Sequence, residues 1–106
     1  MANLKVRVPA TAKRGQVIDV FALSIHPMES GFRLDNVGKN IPRHIIETFT
    51  CSYGGKEVFR AKLHPAVTAN PYFAFNIVAS ESGELVFAWK DDKGSSGEER
   101  AFLTIA

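Results

Sequence analysis

The chain carries a single cysteine, Cys51, among 106 residues, so no intramolecular disulfide can form and a disulfide-stapled miniprotein is excluded. A surplus of one charge is also missing. Thirteen Lys+Arg against eleven Asp+Glu leave a dispersed formal charge of +2. Nucleic-acid binding needs a basic patch or stripe, which this balance does not supply. Long apolar runs are absent as well. The longest uncharged stretch, Leu63 to Ser80, is interrupted by Pro65, Asn70, Pro71 and Asn76, whereas a membrane-spanning helix needs roughly 20 mostly apolar residues. Met1 to Arg7 alternates charge with aliphatics and lacks the apolar centre of a secretory signal. On these residues alone the expected location is the cytoplasm. No internal repeat, linker or low-complexity segment stands out. Hydrophobic residues make up 45% and charged residues 23%, the composition of a folded globular chain. The length predicts one domain over residues 1–106.

Short runs rich in Val, Ile, Phe and Thr lie between closely spaced turn signals. These signals are Lys13-Arg14-Gly15, Glu29-Ser30-Gly31, Asn36-Val37-Gly38, Gly54-Gly55, Asn70-Pro71, Glu81-Ser82-Gly83 and Asp91-Asp92-Lys93-Gly94. The runs alternate with period 2, as half-buried strands do. Leu4, Val6 and Val8 share a face. So do Phe59, Ala61 and Leu63, and so do Phe73, Phe75, Ile77 and Ala79. Leu85, Phe87 and Trp89 form another such set, and Ala101, Leu103 and Ile105 the last. Gln16 to His26 is apolar on both faces, which predicts a central strand covered on both sides. Arg43 to Tyr53 fits a helical stripe through Ile45, Ile46 and Phe49, but its β-branched content and the preceding Pro42 favour a strand. Gly54-Gly55 has the spacing of a hairpin turn. The expected fold is all-β: one immunoglobulin-like antiparallel sandwich of about seven strands, with Trp89 and the phenylalanines between the sheets. The immunoglobulin cysteine pair is missing, so the likeness is one of architecture.

Catalytic chemistry is hard to find. Cys51 shares a side with Phe49 and Tyr53 in an alternating run, which predicts a buried thiol, not a nucleophile. His26, His44 and His64 have no metal-ligand spacing, so no metal site is expected. Asp91-Asp92 and Glu98-Glu99 flank Lys93 to Gly97 and read as a solvated hairpin. No phosphate-cradling loop or nucleophile elbow is present. One loop does stand out. His26-Pro27-Met28-Glu29-Ser30-Gly31 follows the most hydrophobic strand, and the stretch to Ile41 is long and polar for a tight hairpin. Such loops on a rigid sandwich carry function.

At these residues the chain resembles a known family. His26 to Gly31, Ile41-Pro42-Arg43 with Ile45-Ile46, Phe49 and Cys51 look like the SoxZ family of the bacterial sulfur-oxidation pathway. Gly55 to Phe59, Ala69-Asn70-Pro71-Tyr72 and Phe87 to Asp92 extend the resemblance over nearly the whole chain. The Gly94-Ser95-Ser96-Gly97 tip is where it departs from the pattern. The resemblance implies a non-catalytic subunit without cofactor. It would pair with a SoxY-type chain whose C-terminal cysteine carries the sulfur, and it would touch other pathway enzymes transiently. It also implies a periplasmic location, reached by export with a signal-bearing partner.

A stable heterodimer needs a buried apolar patch on each side. The expected partner-binding residues are Met28, Ile41, Ile45, Tyr72 and Phe73, with Arg43 as a charged anchor. Exposed in isolation, such a patch could drive homodimerisation. Two other readings stay open at this point. One is a free-standing immunoglobulin-like interaction module. The other is a small metal- or sulfur-binding protein using Cys51 with His26 or Met28.

Overall fold

The computed structural model describes residues 4–26, 28–64 and 70–106. Eight strands appear in chain order: β1 (Leu4–Arg7), β2 (Thr11–Ala12), β3 (Val17–Ser24), β4 (Ile46–Tyr53), β5 (Lys56–Lys62), β6 (Tyr72–Val78), β7 (Gly83–Asp91) and β8 (Ser96–Ile105). They form a three-stranded sheet, β1-β3-β6, and a five-stranded sheet, β2-β8-β7-β4-β5. The fold is the expected all-β sandwich. The strand that sequence reading missed is β2. Its two residues pair parallel with Thr104 and Ile105 of β8, too short a run to show any alternation. The segment with helical and strand features resolves as β4. Gly54 and Gly55 make the β4–β5 turn with φ of 58° and 85°, the doubly positive backbone that suits a tight hairpin.

Alternation places the core. Phe49, Leu85, Phe87, Leu103, Val20 and Ile46 are fully buried. Phe49 of β4 stacks on Phe73 of β6 with ring centroids 4.2 Å apart, and Phe59 of β5 stacks on Phe75 of β6 at the same distance. These pairs join the two sheets. Each contributes apolar burial plus about 0.5–1.5 kcal/mol of ring geometry.

The outward face of the five-stranded sheet is dressed for water. Arg100 bonds to Glu84 (2.7 Å) and Glu98 (3.0 Å), Arg60 bonds to Glu57 (2.8 Å), and Thr48, Thr50 and Ser52 lie between them. The three-stranded sheet differs. Strand β3 is central, as expected, but the described residues cover it on one side only. Ile18, Val20, Ala22 and Ser24 point inward, while Val17 is 62% exposed and Phe21 and Leu23 are half-buried. The apolar outer half of β3 finds no cover within the described residues, because β1 and β6 flank it edge to edge and nothing packs above.

Candidate functional site at the loop end

The conspicuous loop leaves β3 at His26, where three distant segments meet. His26 and Asn70 exchange two hydrogen bonds: the His26 amide donates to Asn70 Oδ1 (2.9 Å), and the Asn70 amide donates to the His26 carbonyl (2.8 Å). Asn70 holds φ at 53°, a left-handed conformation that Asn tolerates better than most residues. The Ser24 amide donates to the Pro71 carbonyl. The two separated motifs, His26 to Gly31 and Asn70-Pro71, are therefore one structural unit. Pro27 lies outside the described residues.

The His26 ring is buried and its two nitrogens have distinct partners. Nδ1 accepts a hydrogen bond from the Met28 amide (3.0 Å), so it carries no proton. Nε2 carries it and faces Asp91 Oδ2 at 3.2 Å. His44 Nε2 reaches the same carboxylate oxygen at 2.7 Å. Asp91 Oδ1 accepts the Lys93 and Ser95 amides at 3.0 and 2.8 Å. Burial acts to raise the Asp91 pKa. The bonds from His44, the Ser95 amide, His26 and the Lys93 amide outweigh that effect and hold the carboxyl below its ordinary value. The His26 ring also meets His44 and Trp89 edge-on, at 4.5 and 5.3 Å between centroids.

This cluster corrects two expectations. Two of the three histidines are together despite their sequence separation, and Asp91 is a buried acceptor, not part of a solvated hairpin. Donor atoms of His26, His44 and Asp91 lie within 4.8 Å of one another, near enough for one cation. The chemistry does not fit. A metal on His26 Nε2 would push the ring proton to Nδ1, head-on against the Met28 N–H that now donates there. The three residues instead satisfy one another and tie the ends of β3, β4 and β7 together.

Met28 has φ of 50°, strained for a side chain of its size. Its amide is held by His26, and its sulfur accepts the Ile46 amide at 3.1 Å. Beyond it the chain forms a finger. Glu29 and His44 exchange backbone bonds at its base, and a Leu34–Asn40 bridge narrows its tip. Asp35 Oδ1 caps that tip by accepting the Val37 and Lys39 amides. Arg33 pairs with Glu29 along the shaft. Ser30 accepts the Phe32 amide, and Gly31 lies against Arg43 with its φ at 89°. Phe32, at 82% exposure, and Val37 point to solvent.

The expected partner-binding residues separate into two groups. Met28 and Ile45 are buried, and Phe73 faces inward onto Phe49, so these three serve the core and do not form a docking patch. Tyr72 is exposed on β6, Ile41 is half-buried, and Arg43 is exposed with its guanidinium bonded to Asp92 at 2.8 Å. His64 is exposed. Cys51 is fully buried on β4, and burial pushes its thiol up to about 12. Met28 contacts β4 at Ile46, five residues away, or about 17 Å along a strand. The thiol therefore cannot share a site with Met28, and the metal- or sulfur-binding reading through that pair fails. Sequence reasoning missed Asp91 as the shared partner of His26 and His44, since spacing alone carries no sign of contacts across 65 and 47 positions.

Comparison with known proteins gives both a fold and a family. A neelaredoxin-type superoxide reductase from Ignicoccus hospitalis is 19% identical, with TM-score 0.75 over 98% of this chain and 80% of that one. The sulfur carrier protein SoxY from Chlorobium limicola f thiosulfatophilum is 11% identical, with TM-score 0.72 over 100% and 81%. A reduced neelaredoxin variant from Archaeoglobus fulgidus is 17% identical, with TM-score 0.66 over 99% and 90%. At these identities the likeness is one of fold. No curated protein matches the sequence. A family model described as Sulphur oxidation protein SoxZ matches residues 6–101. That match takes in the His26 to Gly31 loop, Asn70-Pro71 and the β7 segment ending at Asp91, and the chain belongs to the SoxZ family of sulfur-oxidation proteins.

Proposed function

We propose that this subunit is the non-catalytic scaffold of a sulfur carrier, paired with a SoxY-type chain that bears the cargo-carrying cysteine. The observation that carries the reading is the state of Cys51. Sulfur transfer needs a thiolate that can reach several enzymes, and reactivity depends on an accessible thiol of low pKa. Cys51 is fully buried between the sheets, and its thiol is pushed up to about 12. It is the chain's one cysteine. A carrier built on this fold must therefore take its thiol from another chain.

The sandwich supplies what a mobile arm lacks. Stacked phenylalanines and the His26–Asp91–His44 cluster make a stiff base from which a partner's flexible terminus could swing. The subunit would work in the periplasm, exported with a signal-bearing partner and in passing contact with other pathway enzymes. The test is a pull-down of the tagged subunit from a thiosulfate-grown sulfur oxidiser, with mass spectrometry of the bound chain. Recovery of a one-to-one partner with a C-terminal cysteine adduct supports the reading. Recovery of the subunit alone contradicts it, as does fractionation to the cytoplasm when the partner is present.

A further inference from the structure

The geometry points to the outer face of the β1-β3-β6 sheet as the surface that the SoxY-type partner covers. This rests on the pairing proposed above and adds the place where it occurs. Strand register sets the face out in rows. Lys5, Leu23 and Tyr72 form one row, and Arg7, Phe21 and Ala74 the next. Asp19 sits beside Asn76 and bonds to it, and Val17 pairs with Val78. Phe21 and Tyr72 stack with centroids 6.2 Å apart at 22°. Tyr72, Val17 and Val78 are all more than half exposed.

An antiparallel sheet with one wet face alternates apolar inside with polar outside. The five-stranded sheet follows this more closely, with its arginine–glutamate pairs turned outward and Phe102 as an exposed apolar exception. Strands β3 and β6 depart from it: Val17, Phe21, Leu23, Tyr72, Ala74 and Val78 share the outer face with only Asp19 and Asn76, and the described residues cover the inner face alone. Aromatic residues and arginine are the types that concentrate at interface centres, and Phe21, Tyr72 and Arg7 adjoin here. Hollows of about 250 and 370 Å³ lie on either side of Phe21 and Arg7, sized for partner side chains.

Charge points to one kind of occupant, whose contact must extend beyond the three strands. Strands β1, β3 and β6, of 4, 8 and 7 residues, project roughly 300 Å², less than half of the ~800 Å² per side that a stable complex buries. The adjoining Pro9 and Gln16 border the same hollow and can extend the contact. Lys5 and Arg7 give one edge of the face positive charge, while Asp19 is held by Asn76. The matching partner surface is a sheet face with an acidic rim. A chain of the same sandwich fold, as the SoxY structure is, has a sheet to offer, packed at about 10 Å.

The test uses the full chain co-expressed with a tagged SoxY-type partner. The face variants are Phe21→Asp, Tyr72→Asp and Val17→Lys, the last at an exposed position that leaves the core untouched. Phe32→Asp on the finger and Phe102→Asp on the opposite sheet serve as controls. Circular dichroism and melting temperature confirm folding, and titration gives affinity. The expected result is a loss of about 30-fold or more for the aromatic face variants, the size of an interface hot spot. Val17→Lys should lose less, and the controls should pair normally. The inference is overturned if the face variants bind as wild type, or if Phe32→Asp or Phe102→Asp alone loses the partner. It is also overturned if the face variants abolish only self-association of the isolated subunit, which would give the face to a second copy. If the unmodified chain fails to pair, the pairing itself is wrong, an outcome separable from the others.

Discussion

Gly97 of β8 sits directly across from Trp89 of β7, and the indole occupies the space that a side chain at residue 97 would need. A β-carbon there would lie 2.6 Å from indole Cε2 and closer still to Nε1. Trp89 in turn meets the His26 ring edge-on at 5.3 Å. One missing side chain thus lets the largest aromatic residue reach the buried cluster at the loop end.

Gly97→Ala should therefore destabilise the fold through overpacking, by about 1–3 kcal/mol. Chemical denaturation followed by Trp89 fluorescence measures it. Unchanged stability would mean that the indole has room to move aside.

Asp91→Asn should cost more, roughly 2–4 kcal/mol, because the amide cannot accept from two histidines and two backbone amides at once. The sign of the acid dependence follows from the depressed pKa. Stability from the ionised carboxyl is fully present above the unfolded aspartate value of about 3.9. It fades as pH falls through the lower native value. Urea midpoints measured from about pH 6 to about pH 2 should fall less steeply in the variant than in the wild type.

Asn70→Ala removes the acceptor for the His26 amide and replaces a residue type that tolerates a φ of 53° with one that does so less readily. The expected loss is roughly 1–3 kcal/mol. Asn70→Gly tolerates the backbone and loses only the acceptor, so it should fall between Ala and wild type in thermal melts. Equal losses would remove the conformational part of this account.

Cys51 should resist thiol reagents at neutral pH in the native protein and react once in denaturant, given its burial and its pKa of about 12. Rapid native labelling would show that the strand opens or that the thiol is reachable.

Much of the fold was legible because period-2 alternation is a local signal. Phe73, Phe75 and Ile77, like Leu85, Phe87 and Trp89, fall on the inner face as their spacing implies. The double-sided apolarity of β3 was equally legible, but the sequence does not say which chain supplies the second cover. Met28, Ile45 and Phe73 were assigned to a partner because interfaces and cores favour the same residue types, and only the direction of the side chain separates them. The His26–Asp91–His44 cluster was illegible for a different reason. Its members come from three segments, and their meeting is a property of topology.

The most direct test of the central claim is intact-mass spectrometry of both chains after the complex has reacted with thiosulfate and its pathway enzymes. Added sulfur is predicted on the SoxY-type chain alone, with this subunit at its unmodified mass and Cys51 free. A sulfur adduct on Cys51 would contradict the account.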